Sequence, residues 1–236
     1  TVVSSIMEHG EISQHPAWNL GLNGSGVIIA VADSGLDLDH SCFRNTSGTV
    51  GTPGPYHRKV IHINTSIDDW DDDITDFGHG THVAGILGCR EVDDFGGHPS
   101  TGMASMSHAS MLLIQDVVDG SDWKEPEVDY LLAEAFEYGA VIHSDSWGDV
   151  DESYTPRSAL FDRWSVEVPW SLAFIAPGNN RAAFYEPANA RNVVAVGGST
   201  RDAGLDVMSS SARGPSEDGL RGIFVVAPGV GIESAR

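Results

Sequence analysis

Six residues, Val27-Ile28-Ile29-Ala30-Val31-Ala32, run without a polar side chain and stop at Asp33-Ser34-Gly35. Successive side chains of a strand point to opposite faces, so a run apolar on both faces must be covered on both. Such strands belong inside a parallel sheet clothed by helices. The rest of the chain repeats the pattern. Strands are predicted at Val27–Ala32, Lys59–Ile63, Ser110–Gln115, Ala140–His143, Leu172–Ala176, Asn192–Val196 and Ile223–Val226. Helices are predicted at Thr81–Leu87, Val128–Tyr138 and Ser158–Val168; in the second, Leu131, Leu132, Ala135 and Phe136 share one face. Glycine and proline punctuate the strand ends, as at Pro177-Gly178, Gly197-Gly198 and Pro228-Gly229. The expected fold class is α/β, with a mostly parallel central sheet between layers of helices.

The length of 236 residues suits one fairly large domain, and 41% hydrophobic residues can fill its core. Thirteen basic residues against 34 acidic ones leave a net charge of −21. A nucleic-acid partner is therefore not expected, because phosphate binding needs a positive surface. An acidic surface solubilises, and it also favours cationic substrates near a cleft. No apolar run approaches the roughly 20 residues of a membrane span. The first residues, Thr-Val-Val-Ser-Ser, carry no leader, so the protein is either cytosolic or stripped of its targeting segment. Sequons at Asn23, Asn45 and Asn64 lean towards secretion. Cys42 follows the Asp33 strand and Cys89 falls at the end of the helix after His79. They are either one disulfide tying those segments together or two free thiols.

In sheets of this kind ligands bind at the carboxyl ends of the strands. Asp33, Ser144-Asp145-Ser146 and Asn179-Asn180 all fall there. Asp33 alone could be a helix cap or one half of a salt bridge. Gly-His-Gly-Thr-His-Val-Ala-Gly, from Gly78 to Gly85, adds a histidine set between glycines where a helix begins. An imidazole that donates one N–H to an aspartate is held in one tautomer and left basic at its other nitrogen. His82 lies one turn from His79, but the glutamate of a helical zinc site is missing, so it reads as structural.

These motifs resemble those of the subtilisin-like serine proteases. Val31–Gly35, Gly78–Gly85, Ser146-Trp147-Gly148, Ala176-Pro177-Gly178-Asn179 and Ala227-Pro228-Gly229 stand in that family's order, and the likeness runs from Trp18 to Arg236. The wording is similar to that of the large alkaline, oxidation-resistant bacterial subtilisins and their eukaryotic relatives. The resemblance implies a secreted endopeptidase with a three-layer fold. Asp33 would orient, His79 would act as general base and then acid, and Asn179 would donate its amide to the oxyanion. Ser146, Trp147 and Gly148 would pair with an extended polypeptide substrate, Trp147 lining the specificity pocket unless it is core packing. Tyr185-Glu186-Pro187 would form the pocket base, where Tyr185 shortens the pocket or Glu186 makes it acidic. No cofactor is required for the chemistry. Calcium is expected as a structural ion at most, with Asp68-Asp69-Trp70-Asp71-Asp72-Asp73 as either its loop or a solvated acidic one.

The family's serine motif does not occur in the 236 residues. Ser100-Thr101-Gly102-Met103-Ala104 has similar letters but precedes a strand. Two expectations follow. In the first, residues 1–236 are the greater part of a single catalytic domain and a second polypeptide carries the serine. In the second, the chain is an inactive relative that binds peptides or proteins.

Overall fold

The computed structural model describes residues 15–65, 67, 71, 78–93, 99–100, 102–120, 122–124, 127–200, 206–219 and 222–235. The chain divides into two compact units, one of Thr1–Pro126, Ala135–Ala140 and Glu233–Arg236, the other of Glu127–Glu134 and Val141–Ile232.

The first unit opens on a single turn, α1 (Pro16–Asn19), and builds three parallel strands: β1 (Ile28–Asp33), β2 (Val60–Asn64) and β3 (Met111–Asp116), in the order β2-β3-β1. Residue for residue, Ile28 to Asp33 lie beside Met111 to Asp116. Helix α2 (His79–Gly88) lies on this sheet by its small residues. A Cβ on Gly80 would run into the Gly35 carbonyl, one on Gly85 into Ser234 and one on Gly88 into Leu112. The chain then turns through a hairpin of β4 (Val118–Asp119) and β5 (Asp122–Trp123).

Cys42 and Cys89 form a disulfide that closes a loop containing His79, with a sequence separation of 47. In the chain-entropy account, a loop of that size is worth about 4 kcal/mol. Arg58 stitches the same loop, donating to the carbonyls of Arg44, Cys42 and Arg90.

In the second unit β6 (Ile142–Asp145), β7 (Leu172–Ile175), β8 (Val194–Ser199) and β9 (Val225–Pro228) are parallel in chain order. Helix α3 (Val128–Glu137) begins in this unit, and α4 (Pro156–Glu167) starts from Thr155, whose side chain accepts from the Ser158 N–H. Val128, Leu132, Phe161, Ile175, Phe184 and Ala195 bury one another beneath them.

The seven predicted strands and three predicted helices stand where the apolar runs place them, with ends shifted by up to three residues. The architecture is α/β with a mostly parallel sheet, as in the subtilisin-like fold. Among the described residues no helix is long and apolar enough to cross a membrane.

Candidate active site

Asp33 ends β1 fully buried, and His79 opens α2 from Gly78, whose positive φ of 78° lets the chain swing into the helix. The imidazole Nδ1 lies 2.6 Å from Asp33 Oδ1. The Asp33 side chain is 0% exposed and that of His79 37% exposed, so the carboxylate is hidden while the ring reaches solvent. Burial pushes the Asp33 carboxyl above its ordinary value; the hydrogen bond and charge of His79, with the Ser34 N–H, pull it back. Among the described residues Asp33 Oδ2 meets no donor. Trp123, on β5, stands edge-on to the imidazole at 6.3 Å. Neither this neighbour nor the hairpin was expected, although Asp119-Gly120 before a short run is a recognised hairpin signal.

Around this pair a second set of bonds fixes the start of α2. Ser34 Oγ lies 2.8 Å from Asp71 Oδ1 and accepts from Gly80 N at 2.9 Å. Asp71 Oδ2 accepts from Thr81 N at 2.7 Å, and Thr81 Oγ1 accepts from Asp37 N at 2.8 Å. Asp71 thus caps the helix, a role the sequence did not betray. The remaining residues of the acidic run Asp68–Asp73 lie outside the described residues. Both Asp71 oxygens are engaged in hydrogen bonds. Among the described residues no group of three or more His, Cys, Asp or Glu is arranged to hold a metal ion, His82 included.

The second unit holds a cleft of about 380 Å³ lined by Ser146, Trp147, Gly148, Val150, Asn179 and Tyr185, among others. Ser146, Trp147 and Gly148 make no main-chain hydrogen bond to a described residue, so this segment presents open donors and acceptors. Trp147 lines the cleft and also packs against the core cluster. Gly148 must be glycine, because a Cβ would strike the Glu186 carbonyl.

Asn179 and Asn180, alike in the sequence, differ here. Asn180 is spent on its own turn, accepting from Ala182 N and donating to the Tyr185 hydroxyl at 3.1 Å. Asn179 is exposed, lines the cleft and has no side-chain hydrogen bond to a described residue. Its side chain remains free to donate to a ligand.

Tyr185 lies against Gly178, filling the space a Cβ would need. Glu186 also lines the cleft, but with its charge matched by Arg157. Its carboxylate is 2% exposed and accepts from Arg157, Thr155 Oγ1 and Asp149 N. Arg157 neutralises it and lies over the Trp147 ring at 5.7 Å.

Of the sequons, Asn64 is buried at the end of β2, so its amide is not offered to a glycosylating enzyme. Asn45 accepts from Arg58 N and Asn23 from Ser25 N; both are half-buried.

Comparison with known proteins decides the family. The profile described as the subtilase family matches residues 24–235. The chain belongs to the subtilase family. A serine protease/ABC transporter B family protein, tagD, of Dictyostelium discoideum is 31% identical over 195 residues, covering 76% of this chain and 10% of that protein. A thermophilic serine proteinase of Bacillus sp. (strain AK1) is 31% identical over 221 residues, covering 92% of this chain and 47% of that protein. A calcium-dependent protease of Nostoc sp. (strain PCC 7120) is 31% identical over 166 residues, or 70% of this chain and 22% of that protein. The subtilase chain thus spans from about a tenth to about half the length of these relatives. The prenylagaramide maturation protease PagA superposes with a TM-score of 0.65 at 21% identity, covering 94% of this chain and 69% of that one. That likeness concerns the fold.

Proposed function

We propose that this subtilase chain is the Asp- and His-bearing part of a secreted serine endopeptidase whose serine lies outside residues 1–236. The observation that carries the reading is the buried Asp33 carboxylate bound at 2.6 Å to a solvent-reaching His79. With Nδ1–H held by Asp33, His79 Nε2 keeps a lone pair that takes the proton of a serine hydroxyl as it attacks a peptide carbonyl. The proton then passes to the leaving amine, and water repeats the cycle on the acyl-enzyme. The free Asn179 amide donates to the oxyanion formed in each step. The open main chain of Ser146–Gly148 binds the substrate backbone as an added strand. An apolar cleft with its one carboxylate neutralised favours an uncharged side chain before the cut.

Two further observations support parts of the reading. Phe224, Val225 and Val230 are 68%, 43% and 45% exposed around β9, an apolar patch suited to a packed segment. The Cys42–Cys89 disulfide fits an oxidising compartment. Calcium as a structural ion rests on the description of the Nostoc relative. If it binds, the melting temperature of the full protein falls on chelation and returns with calcium; no change under either treatment withdraws it.

The test of the main reading is labelling of the purified full protein with a fluorophosphonate, followed by peptide mapping and by intact mass without reduction. The expected result is label on a serine beyond residue 236, lost in His79→Ala. Absence of label from the folded protein, with peptide binding retained, would establish the inactive binding relative instead.

A further inference from the structure

The Asp33–His79 pair does not hold itself in place. His79 is the first residue of α2, where the helix has no side-chain cap from Gly78. The first helical N–H groups need acceptors, and an unheld end frays. Here those acceptors come from elsewhere: Ser34 Oγ takes Gly80 N–H and Asp71 Oδ2 takes Thr81 N–H. Ser34 follows Asp33 directly, so the same hydroxyl joins the strand that carries the carboxylate to the helix that carries the imidazole.

The hydroxyl has one proton and two candidate acceptors. Asp71 Oδ1 is 2.8 Å away, Asp33 Oδ1 3.4 Å. The proton goes to Asp71, the nearer and better placed. Asp33 Oδ1 is then left to His79 Nδ1 and the Ser34 N–H. Asp71 is 5% exposed and Ser34 2%, so water does not compete for either role. The charge of Asp71 also adds to the upward push on the Asp33 carboxyl, which makes Asp33 a better acceptor for the imidazole proton.

We propose that Asp71, acting through Ser34 Oγ and Thr81 N, is a positioning residue that holds His79 and leaves Asp33 Oδ1 to the imidazole. In Asp71→Asn the side-chain amide cannot accept at both positions. Ser34 then turns its proton to Asp33, and the hold of Asp33 on His79 weakens.

The inference rests on the proposed protease reading, and its test separates the two. In the full protein, the His79 Nδ1 proton resonance is read by NMR, which needs no turnover. In Asp71→Asn it moves upfield, and kcat falls about tenfold to a hundredfold with KM little changed, the size of effect that small misplacements cause. Ser34→Ala offers Asp33 no competing proton but takes away the acceptor of the Gly80 N–H, so the start of α2 loosens and the resonance again moves upfield without removal of a charge; Ser34→Thr, which keeps a hydroxyl, moves it back. This pair decides the matter should Asp71→Asn fail to fold. An unmoved resonance in folded Asp71→Asn or in Ser34→Ala overturns the positioning role, whether or not the wild type turns over. A wild type without turnover that still shows the Asp71-dependent shift overturns the protease reading and leaves the positioning role standing.

Discussion

Two neighbouring asparagines, Asn179 and Asn180, have identical chemistry and opposite fates. Asn180 is bonded into its turn while the Asn179 amide is unspent. Asn179→Ala therefore lowers kcat by roughly 10²–10³ with KM near wild type, as measured for the matching donor in subtilisin itself. Steady-state kinetics on the full protein checks this, and a kcat within twofold of wild type removes Asn179 from the oxyanion role. Glu186 shows the same dependence on neighbours. Read along the chain it is a charge at a pocket; in place it is a buried anion matched by Arg157. Arg157→Met strands that anion, which costs about 3–5 kcal/mol. It also shifts preference towards Lys or Arg before the cut, measured as the ratio of kcat/KM values for paired peptides. An unchanged ratio shows that Glu186 does not sense the pocket.

Among the elements, α2 has the least tolerance. It approaches β1 backbone to backbone, and Gly80 leaves no room for even a methyl group against Gly35 and Ser34. Gly80→Ala drives the helix start away from Asp33, at about 1–3 kcal/mol of overpacking. His79 moves with it, so kcat drops about a hundredfold. Unfolding curves and initial rates test the two halves separately; wild-type kinetics in a folded variant would show that α2 can yield. This element was legible in the sequence as glycines around a histidine, since close approach needs residues without a Cβ. Its cap was not, because Asp71 stands eight residues before His79 in a run of like residues. The β4–β5 hairpin went unread for a different reason: strands of two residues leave no period to count.

Across the molecule, pH dependence of stability has a specific source in Lys59. Its ammonium group is buried against the carbonyls of His108 and Ser110, with no carboxylate partner among the described residues. Burial first, then Arg58 and Arg90, pull its pKa down from 10.5 to about 7. Between those values the unfolded chain binds more protons than the folded one, so stability rises with pH. Below pH 7 both states are protonated and this contribution is at its lowest. Unfolding free energies at pH 6.5 and 9.5 are expected to rise in wild type and to differ much less in Lys59→Met. Equal slopes in the two proteins would assign the effect elsewhere.

Sequence by itself determined the seven strands of the parallel sheet, the longer helices, the family and the Asp33–His79 pair. Each is written in local period or in a motif of a few adjacent residues, which needs no knowledge of distant contacts. Tertiary structure alone decided which of two asparagines is free, that Glu186 is paired with Arg157, that Asn64 is buried and that Asp71 caps helix α2. Those outcomes depend on partners 31 to 46 residues away in several cases, as with Thr155–Glu186 and Gly80–Ser34. A buried polar group is defined by what the fold brings to it, and folding chooses among many chemically equivalent partners by packing that no local pattern records.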